Sequence, residues 1–335
     1  MAQPTNLHSD YDQVGIREDL SDLIGMVDPT ETPAQSMILN EANTAKNTTH
    51  DWQTQALATA NRDNAAITGD DTTLDAVTAT VRINNRTQIF KRSFGVSGTA
   101  GAVETAGREE ESDWQKLLKG RELKRDIEAM ILCNNALVVG NDTTARKSRG
   151  LGRFIAGTNA DGTHGTGGST AAIVAVDTAT TVTAGTNRAI SLALINSASQ
   201  RAFANGGNPK YLVAPPTVKQ SIGALMGSSG SVVPRYDSAS KKAMTAIITG
   251  VDVFTSDFGT VAIVADRFCV GGVTGDAKAA VFFIDPEYAR VSYLRKIGSE
   301  KLAKTGDSER WQVLGELCLE VLAPLAHAKV DDVTP

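Results

Sequence analysis

The sequence predicts an α+β fold built as an elongated slab, and three stretches carry that prediction. Residues 108–135, "REEESDWQKLLKGRELKRDIEAMILCNN", read as one long helix. Residues 311–322 alternate apolar and polar side chains along a strand that would span roughly 40 Å, about twice the usual length. Between them, residues 150–285 mix helical and extended patterns as a compact α+β unit does. A long helix and a long strand in one chain favour a slab over a sphere.

The elements follow in chain order. In "LIGMVDPTETPAQSMI", residues 23–38, Pro29 and Pro33 fix their own φ and remove two backbone donors, so one continuous amphipathic helix is not expected. Full burial of Leu23, Ile24, Met26, Val27, Met37 and Ile38 would contribute roughly 10–18 kcal/mol in total. Ordering the stretch costs a comparable amount, about 1–2 kcal/mol of backbone entropy per residue. It therefore reads as an arm that orders only where another surface supports it.

"AVTATVRI" places Val77, Ala79, Val81 and Ile83 on one parity, the pattern of a half-buried strand. Past Asn84-Asn85-Arg86, Phe90, Phe94 and Val96 continue on one parity of a second extended run. The polar stretch from Ala56 to Asp71 is the expected tip of a long two-stranded loop, which is marginal alone and needs a surface to lie on.

In the long helix, Glu109, Glu110, Glu111 and Asp113 crowd the first turns and Lys116, Lys119, Arg121, Lys124 and Arg125 follow, an order that suits the helix dipole. Trp114, Leu117 and Leu118 share one face, whereas Leu123, Ile127, Met130 and Ile131 share nearly the opposite one, with Gly120 between the sets. Such a helix changes partners along its length, as an element bridging two neighbours does. Residues 157–186 read as Gly/Thr-rich loop except for "AAIVAV". A helix near 187–204 follows, then one opening at Pro215-Pro216 with Val218, Ile222 and Leu225 at helical spacing. Extended runs come next in "AIITGVDVFTSD", "TVAIVAD" and "AAVFFID". In the final long strand Trp311, Val313, Leu317, Leu319 and Val321 alternate with Gln312, Glu316 and Glu320, and Leu314 and Cys318 are the exceptions.

Composition narrows the function. A chain of 335 residues can form one large unit or two domains. A net charge of −5, with 21% charged residues and neither sign in a long block, argues against a dedicated nucleic-acid groove. Aromatic residues are only 5%, which suits sheets and loops better than a deep aromatic pocket. "MAQPTNLHSD" has neither the basic nor the apolar region of a leader, and no stretch reaches the roughly 18 apolar residues of a membrane span. A chain made in a cytoplasm, without a membrane partner, is expected. Cys133, Cys269 and Cys318 are odd in number and far apart, the pattern of buried thiols.

Catalytic signatures are missing. There is no Gly-Lys dipeptide for a Walker A loop, no HExxH and no GxSxG, and "GLGRFIAG" has the wrong glycine spacing for a dinucleotide fingerprint. His8, His50, His164 and His327 lack metal-ligand spacing. Asp70, Asp71 and Asp75 lack the spacing of a calcium loop and read as a solvated tip. The triplets at Asn47, Asn85 and Asn141 carry no glycosylation meaning without a leader, and "KRDIE" and "KSRGLGR" read as solvated faces. No catalytic, cofactor-binding or metal residue is expected.

The order of arm, long hairpin, long helix, compact mixed block and long return strands resembles that of the major capsid proteins of tailed bacteriophages, the Hong Kong 97-type fold. The wording is closer still in "REDLSDLIGMVDPTETP", "HDWQTQAL" and "QIFKRSFGVSGTAGAVETAGREEESDWQKLLKGRELKRDIEAMI", which are similar to the N-terminal half of one branch of these shell proteins. This covers residues 17 to about 134; after residue 150 the similarity is one of architecture. The resemblance implies an N-arm over 1–48, an E-loop over 49–92, and a peripheral (P) domain over 93–149 with its spine helix at 106–134. It implies an axial (A) domain over 150–285 and P-domain return strands over 286–335.

The function implied is that of a major head protein whose copies close into an icosahedral or prolate shell around a double-stranded DNA genome, as part of the virion. Implied partners are other copies in hexamers and pentamers, a separate scaffolding protein, a portal, cement proteins, and packaged DNA touched without sequence preference. Leu23, Ile24, Met37 and Ile38 on the arm, Trp52 at the E-loop base and Trp114 on the spine helix are the implied assembly contacts. Packing within the subunit is the competing expectation for each. The sequence also departs from the family pattern. Ala34 stands where related arms commonly carry an aromatic after Thr-Pro. No lysine lies between Lys46 and Lys91, so the Lys–Asn isopeptide weld of some shells is not expected. No delta-like N-terminal helical region is visible, hence the separate scaffolding protein. A tail or surface binding module would show repeats or an aromatic patch, and an enzyme with an inter-subunit site would show convergent polar residues; neither feature stands out. Removing residues 1–40 is expected to leave a folded subunit that cannot close shells.

Overall fold

The computed structural model describes residues 30–38, 45–55, 57–69, 71, 74–103, 105, 107, 110–155, 188–228, 252–269 and 279–334. Leu23, Ile24 and the "AAIVAV" run lie outside them. Helix α1 (Pro33–Ile38) precedes three strands, β1 (Thr49–Thr54), β2 (Val81–Arg86) and β3 (Gln88–Ser97). Then come α2 (Gly98–Ala102), the long α3 (Glu111–Ile131) and α4 (Leu151–Phe154). A second group comprises β4 (Arg188–Ala189), α5 (Leu192–Ala204), β5 (Tyr211–Ala214), α6 (Pro216–Ser228), β6 (Val253–Ser256), β7 (Gly259–Ala265) and β8 (Ala279–Ile284). The chain closes through β9 (Ala289–Lys301), β10 (Ser308–Val321) and β11 (Ala328–Thr334).

The described strands form three sheets: β1-β2, the three-stranded β3-β10-β9, and the six-stranded β4-β11-β8-β5-β7-β6. The alternation of Phe90 and Val96 does build a strand, but that strand pairs antiparallel with β10, more than 200 residues away, and not with its neighbour β2. β10 runs as one long strand, as its alternation predicted. Its odd-numbered side chains Val313, Leu317, Leu319 and Val321 join Leu123, Ile127 and Ile131 of α3 in one core. The second face of the six-stranded sheet belongs to another core, where Leu212, Val281, Phe283 and Val330 meet Ile195 and Ala198 of α5 and Val218 and Ile222 of α6. The intervening Val213, Phe282 and Ile284 point into the α3 core, which explains why "AAVFFI" is apolar without alternation.

Several expectations change. The long helix begins at Glu111 and ends at Ile131, shorter than 106–134. At its end the Cys133 thiol bonds the Met130 carbonyl at 3.0 Å. Gly150 and Gly152 sit so close to Cys133 and Asn134 that neither has room for a Cβ, which accounts for the "GLG" as close packing. The helix expected near 187 starts at Leu192, with Ser191 Oγ accepting the Leu194 amide as its cap. Val77 lies outside β2 and is 92% exposed among the described residues. Within 286–335, β9 and β10 return to the three-stranded sheet, but β11 crosses to the six-stranded one and pairs with β8 and β4. Cys133, Cys269 and Cys318 are buried free thiols, and burial pushes those of Cys133 and Cys318 up to about 11 and about 12.

Candidate assembly interface

The exposed loop between β1 and β2 is fixed at its base and bare at its tip. Trp52 faces Ile83 across the β1-β2 ladder. It is 7% exposed, donates its indole N–H to the Val321 carbonyl at 2.9 Å, and stacks obliquely on His50 and Phe154 at 5.9 and 6.0 Å. Buried Asn85 donates Nδ2–H to the Leu319 carbonyl at 2.6 Å and to Ser148 Oγ at 3.0 Å, and its Oδ1 accepts the Arg149 amide at 2.8 Å. The loop base is thereby clamped across β10.

Charge reinforces the clamp. Glu316 and Glu320, the polar positions of β10's alternation, are buried beneath the loop base. Glu316 accepts Arg146 at 2.7 Å, Arg295 at 2.9 Å and the Thr87 hydroxyl at 2.8 Å. Glu320 accepts the Ser292 hydroxyl at 2.8 Å and lies 3.1 Å from His50 Nε2. A carboxylate can be buried only when such partners replace its water. Sequence reading missed Asn85, Glu316 and Glu320 as anchors. The partners of the two glutamates come from four distant segments, Thr87, Arg146, His50 and β9, which the local pattern of β10 does not indicate.

Beyond this base none of the described residues covers the loop. Leu57, Ile67, Leu74 and Val77 are 95, 78, 95 and 92% exposed. A second uncovered region lies along the first half of α3. There Leu117 is exposed and Trp114 half-buried, beside an open groove of about 940 Å³ lined by Phe94, Val96, Val103, Glu111 and Gln115. Lys116 Nζ sits 3.7 Å from the centre of the Trp311 ring at the same end. The polarity switch at Gly120 thus separates a buried half of α3 from a half-open one.

The remaining contact residues fall differently. Ile38 is 1% exposed in its own subunit's core with Leu123 and Ile127, and Met37 packs half-buried beside it. The packing expected between subunits is made within one subunit for Ile38 and Trp52. It follows that removing residues 1–40 would take away core side chains of the subunit itself, Ala34 and Ile38. Among the described residues no group of His, Cys, Asp and Glu could hold a metal ion, and no helix is long and apolar enough to cross a membrane.

A long helix laid on a three-stranded sheet, a second sheet with its own helices, and a projecting hairpin together define the Hong Kong 97-type capsid fold. Solved capsids share it. The cyanophage A-1(L) capsid subunit superimposes with a TM-score of 0.61 at 13% identity, over 99% of this chain and 100% of that one. A chain from Mycobacterium phage Che8 does so with a TM-score of 0.55 at 16% identity, over 94% of this chain and 96% of that one. The chain belongs to the SU10 major capsid protein family, whose pattern it matches over residues 3–334. A curated relative, the major capsid protein of Escherichia phage Phieco32, is 34% identical over 173 residues. That stretch is 46% of this chain and spans about half, 48%, of the relative.

Proposed function

We propose that this chain forms the head shell of a tailed phage, with many copies closing around double-stranded DNA, and that the anchored loop is its principal hand on a neighbour. The observation that carries the reading is the contrast along that loop. Its base is fastened by buried hydrogen bonds, whereas Leu57, Ile67, Leu74 and Val77 are left in water. A subunit gains nothing from holding four apolar side chains outward on a rigid base; a neighbour that covers them gains roughly 1.5–3 kcal/mol apiece. Small contacts of this kind become strong by number in a closed shell.

In this reading residues 1–48 are the N-arm, 49–92 the E-loop, 93–149 with 286–335 the P domain, and 150–285 the A domain. Leu23, Ile24 and Met37 of the arm and Trp114 of the spine helix add contacts between subunits. The chain is made in the host cytoplasm, assembles as hexamers and pentamers with a separate scaffolding protein and a portal, and ends in the virion. Cement proteins or non-covalent contacts hold the finished shell. The modest net charge of −5 suits a wall that confines DNA without gripping it.

The test replaces Leu57, Ile67, Leu74 and Val77 together by serine. The variant subunit is expected to unfold within about 0.5 kcal/mol of the parent, because surface positions contribute little to the fold. Electron microscopy with the scaffolding protein is expected to show closed shells from the parent and free capsomers or subunits from the variant. Normal shells from the variant would remove the loop from the interface.

A further inference from the structure

One lysine of β11 is buried. Lys329, opposite Phe282 of β8 in the ladder, is 1% exposed, and a lysine is almost never enclosed to this degree without partners. Its amine has two. Nζ lies 2.5 Å from Asp331 Oδ2 and 3.3 Å from Asn134 Oδ1. Both partners are buried as well, Asn134 at 3% and Asp331 at 4% exposed. Asn134 stands just past the end of α3, and its side-chain amide is pressed against Gly152, which has no room for a Cβ there. Asp331 meets the amine with neither of its oxygens in a well-aligned hydrogen bond among the described residues.

An amine, a primary amide and a carboxyl group in mutual contact are the three parts that exchange of one amide for another requires. The amine must lose a proton to become a nucleophile, and a neighbouring carboxylate can take that proton and carry it to the departing nitrogen. The reacting atoms must also be held about 3–3.5 Å apart. The electrophilic Cγ of Asn134 lies one C=O bond, about 1.2 Å, from the oxygen that Nζ already touches. Gly152 fixes the amide from its other side, so little motion separates the two atoms. Burial supplies the drive: an enclosed ammonium and carboxylate are costly when their hydrogen bonds are incomplete, whereas a secondary amide carries no charge.

We propose that Lys329 and Asn134 join in an isopeptide bond inside the subunit, with Asp331 carrying the protons. Nζ passes one proton to Asp331 Oδ2 and attacks Cγ of Asn134. The new N–C bond forms, Asp331 returns that proton to Nδ2, and the old C–Nδ2 bond breaks. A second proton of the amine stays on Asp331, ammonia leaves, and no charge remains at the site. Nothing is oxidised or reduced, since one amide replaces another. The bond ties the end of the spine helix to β11 of the six-stranded sheet across 195 residues of chain. It differs from a weld between subunits, because both residues lie in one chain and neither belongs to the loop between β1 and β2. It therefore stands apart from the shell-forming reading.

Mass spectrometry of the purified full-length chain tests the bond. The intact denatured chain is expected about 17 Da, one ammonia, below the mass of its sequence. Trypsin does not cut after an acylated lysine, so digestion is expected to yield residues 126–146 joined to residues 311–335. Lys329→Arg and Asn134→Ala are expected to keep the full mass of their sequences and to give no joined pair. Asp331→Asn is expected to leave most of the chain unjoined. A parent digest with residues 311–329 as a free peptide and no joined pair overturns the proposal. Loss of ammonia without the joined pair places the loss elsewhere in the chain and overturns it too. Parent-level joining in Asp331→Asn overturns the role given to Asp331. The decisive reading is made on the parent, so a variant that fails to fold leaves the test intact.

Discussion

Asn85 illustrates how much of this fold hangs on single side chains. Its amide reaches β10 through the Leu319 carbonyl and the segment before α4 through Ser148 Oγ and the Arg149 amide. Truncation to alanine leaves the Arg149 N–H and the Leu319 carbonyl without these bonds, and an unmet buried group costs about 1–3 kcal/mol. Asn85→Ala is therefore expected to lower subunit stability by about 3 kcal/mol in urea unfolding, with the loop becoming sensitive to protease at its base. A loss below about 1 kcal/mol would mean that water replaces the amide and that the clamp rests on Trp52 and Glu316. Nothing local announced this role: Asn84-Asn85-Arg86 has the composition of a break between strands, and only the fold brings Leu319 to it.

Among the elements, α3 shows what one helix can be asked to do. Leu123, Ile127 and Ile131 bury its second half, while Leu117 remains exposed on the first. Gly120 between them has open space where a Cβ would stand, with no neighbouring atom within 4 Å. Gly120→Ala is expected to stabilise the isolated subunit by about 0.5–1 kcal/mol, since alanine has less conformational freedom to lose in a helix interior. Thermal unfolding of subunits checks the gain. A gain in subunits combined with poorer shells would place a neighbour's backbone against Gly120. The change of face along α3, with a buried second half and an exposed Leu117 on the first, and the length of β10 were legible in the sequence because periodicity and run length are local properties. The covering of Glu316 and Glu320, the crossing of β11 and the docking of α1 on Glu128 were not, because each depends on residues from distant segments meeting. Ala34 shows the same limit: a position that reads as a missing aromatic anchor is a small side chain pressed against α3.

At the scale of the whole molecule, two buried titrating groups shape stability in opposite senses. His327 is buried and accepts the Asp285 amide at Nδ1 at 3.2 Å; burial pushes it down to about 4 against the opposing pull of Asp285 and the Tyr288 backbone. Between there and its ordinary 6.5 the unfolded chain binds the extra proton, so its contribution is present above that window and is lost as pH falls through it. Glu128 works the other way: burial first, and Asp266 second, push its carboxyl up to about 9 against the pull of the Ala34 and Gln35 amides. The folded chain binds the extra proton between 4.5 and there, so its contribution is lost as pH rises. The two slopes, each at most about 1.4 kcal/mol per pH unit, oppose one another where the windows overlap. Solvent-exposed pairs such as Lys210–Glu287, which lowers the Glu287 carboxyl, are screened by solvent and contribute little to this balance. The subunit is thus expected to be most stable on a plateau from about pH 4.5 to about 6.5, with a decline toward pH 9 and a second decline below the plateau. Urea midpoints across that range measure the curve. His327→Asn, which keeps an acceptor for the Asp285 amide, is expected to soften the acid-side decline, and Glu128→Gln the alkaline one. A parent curve that rises toward pH 9 would contradict the Glu128 assignment, whereas an unchanged acid limb in His327→Asn would remove His327 as the source of the acid-side decline.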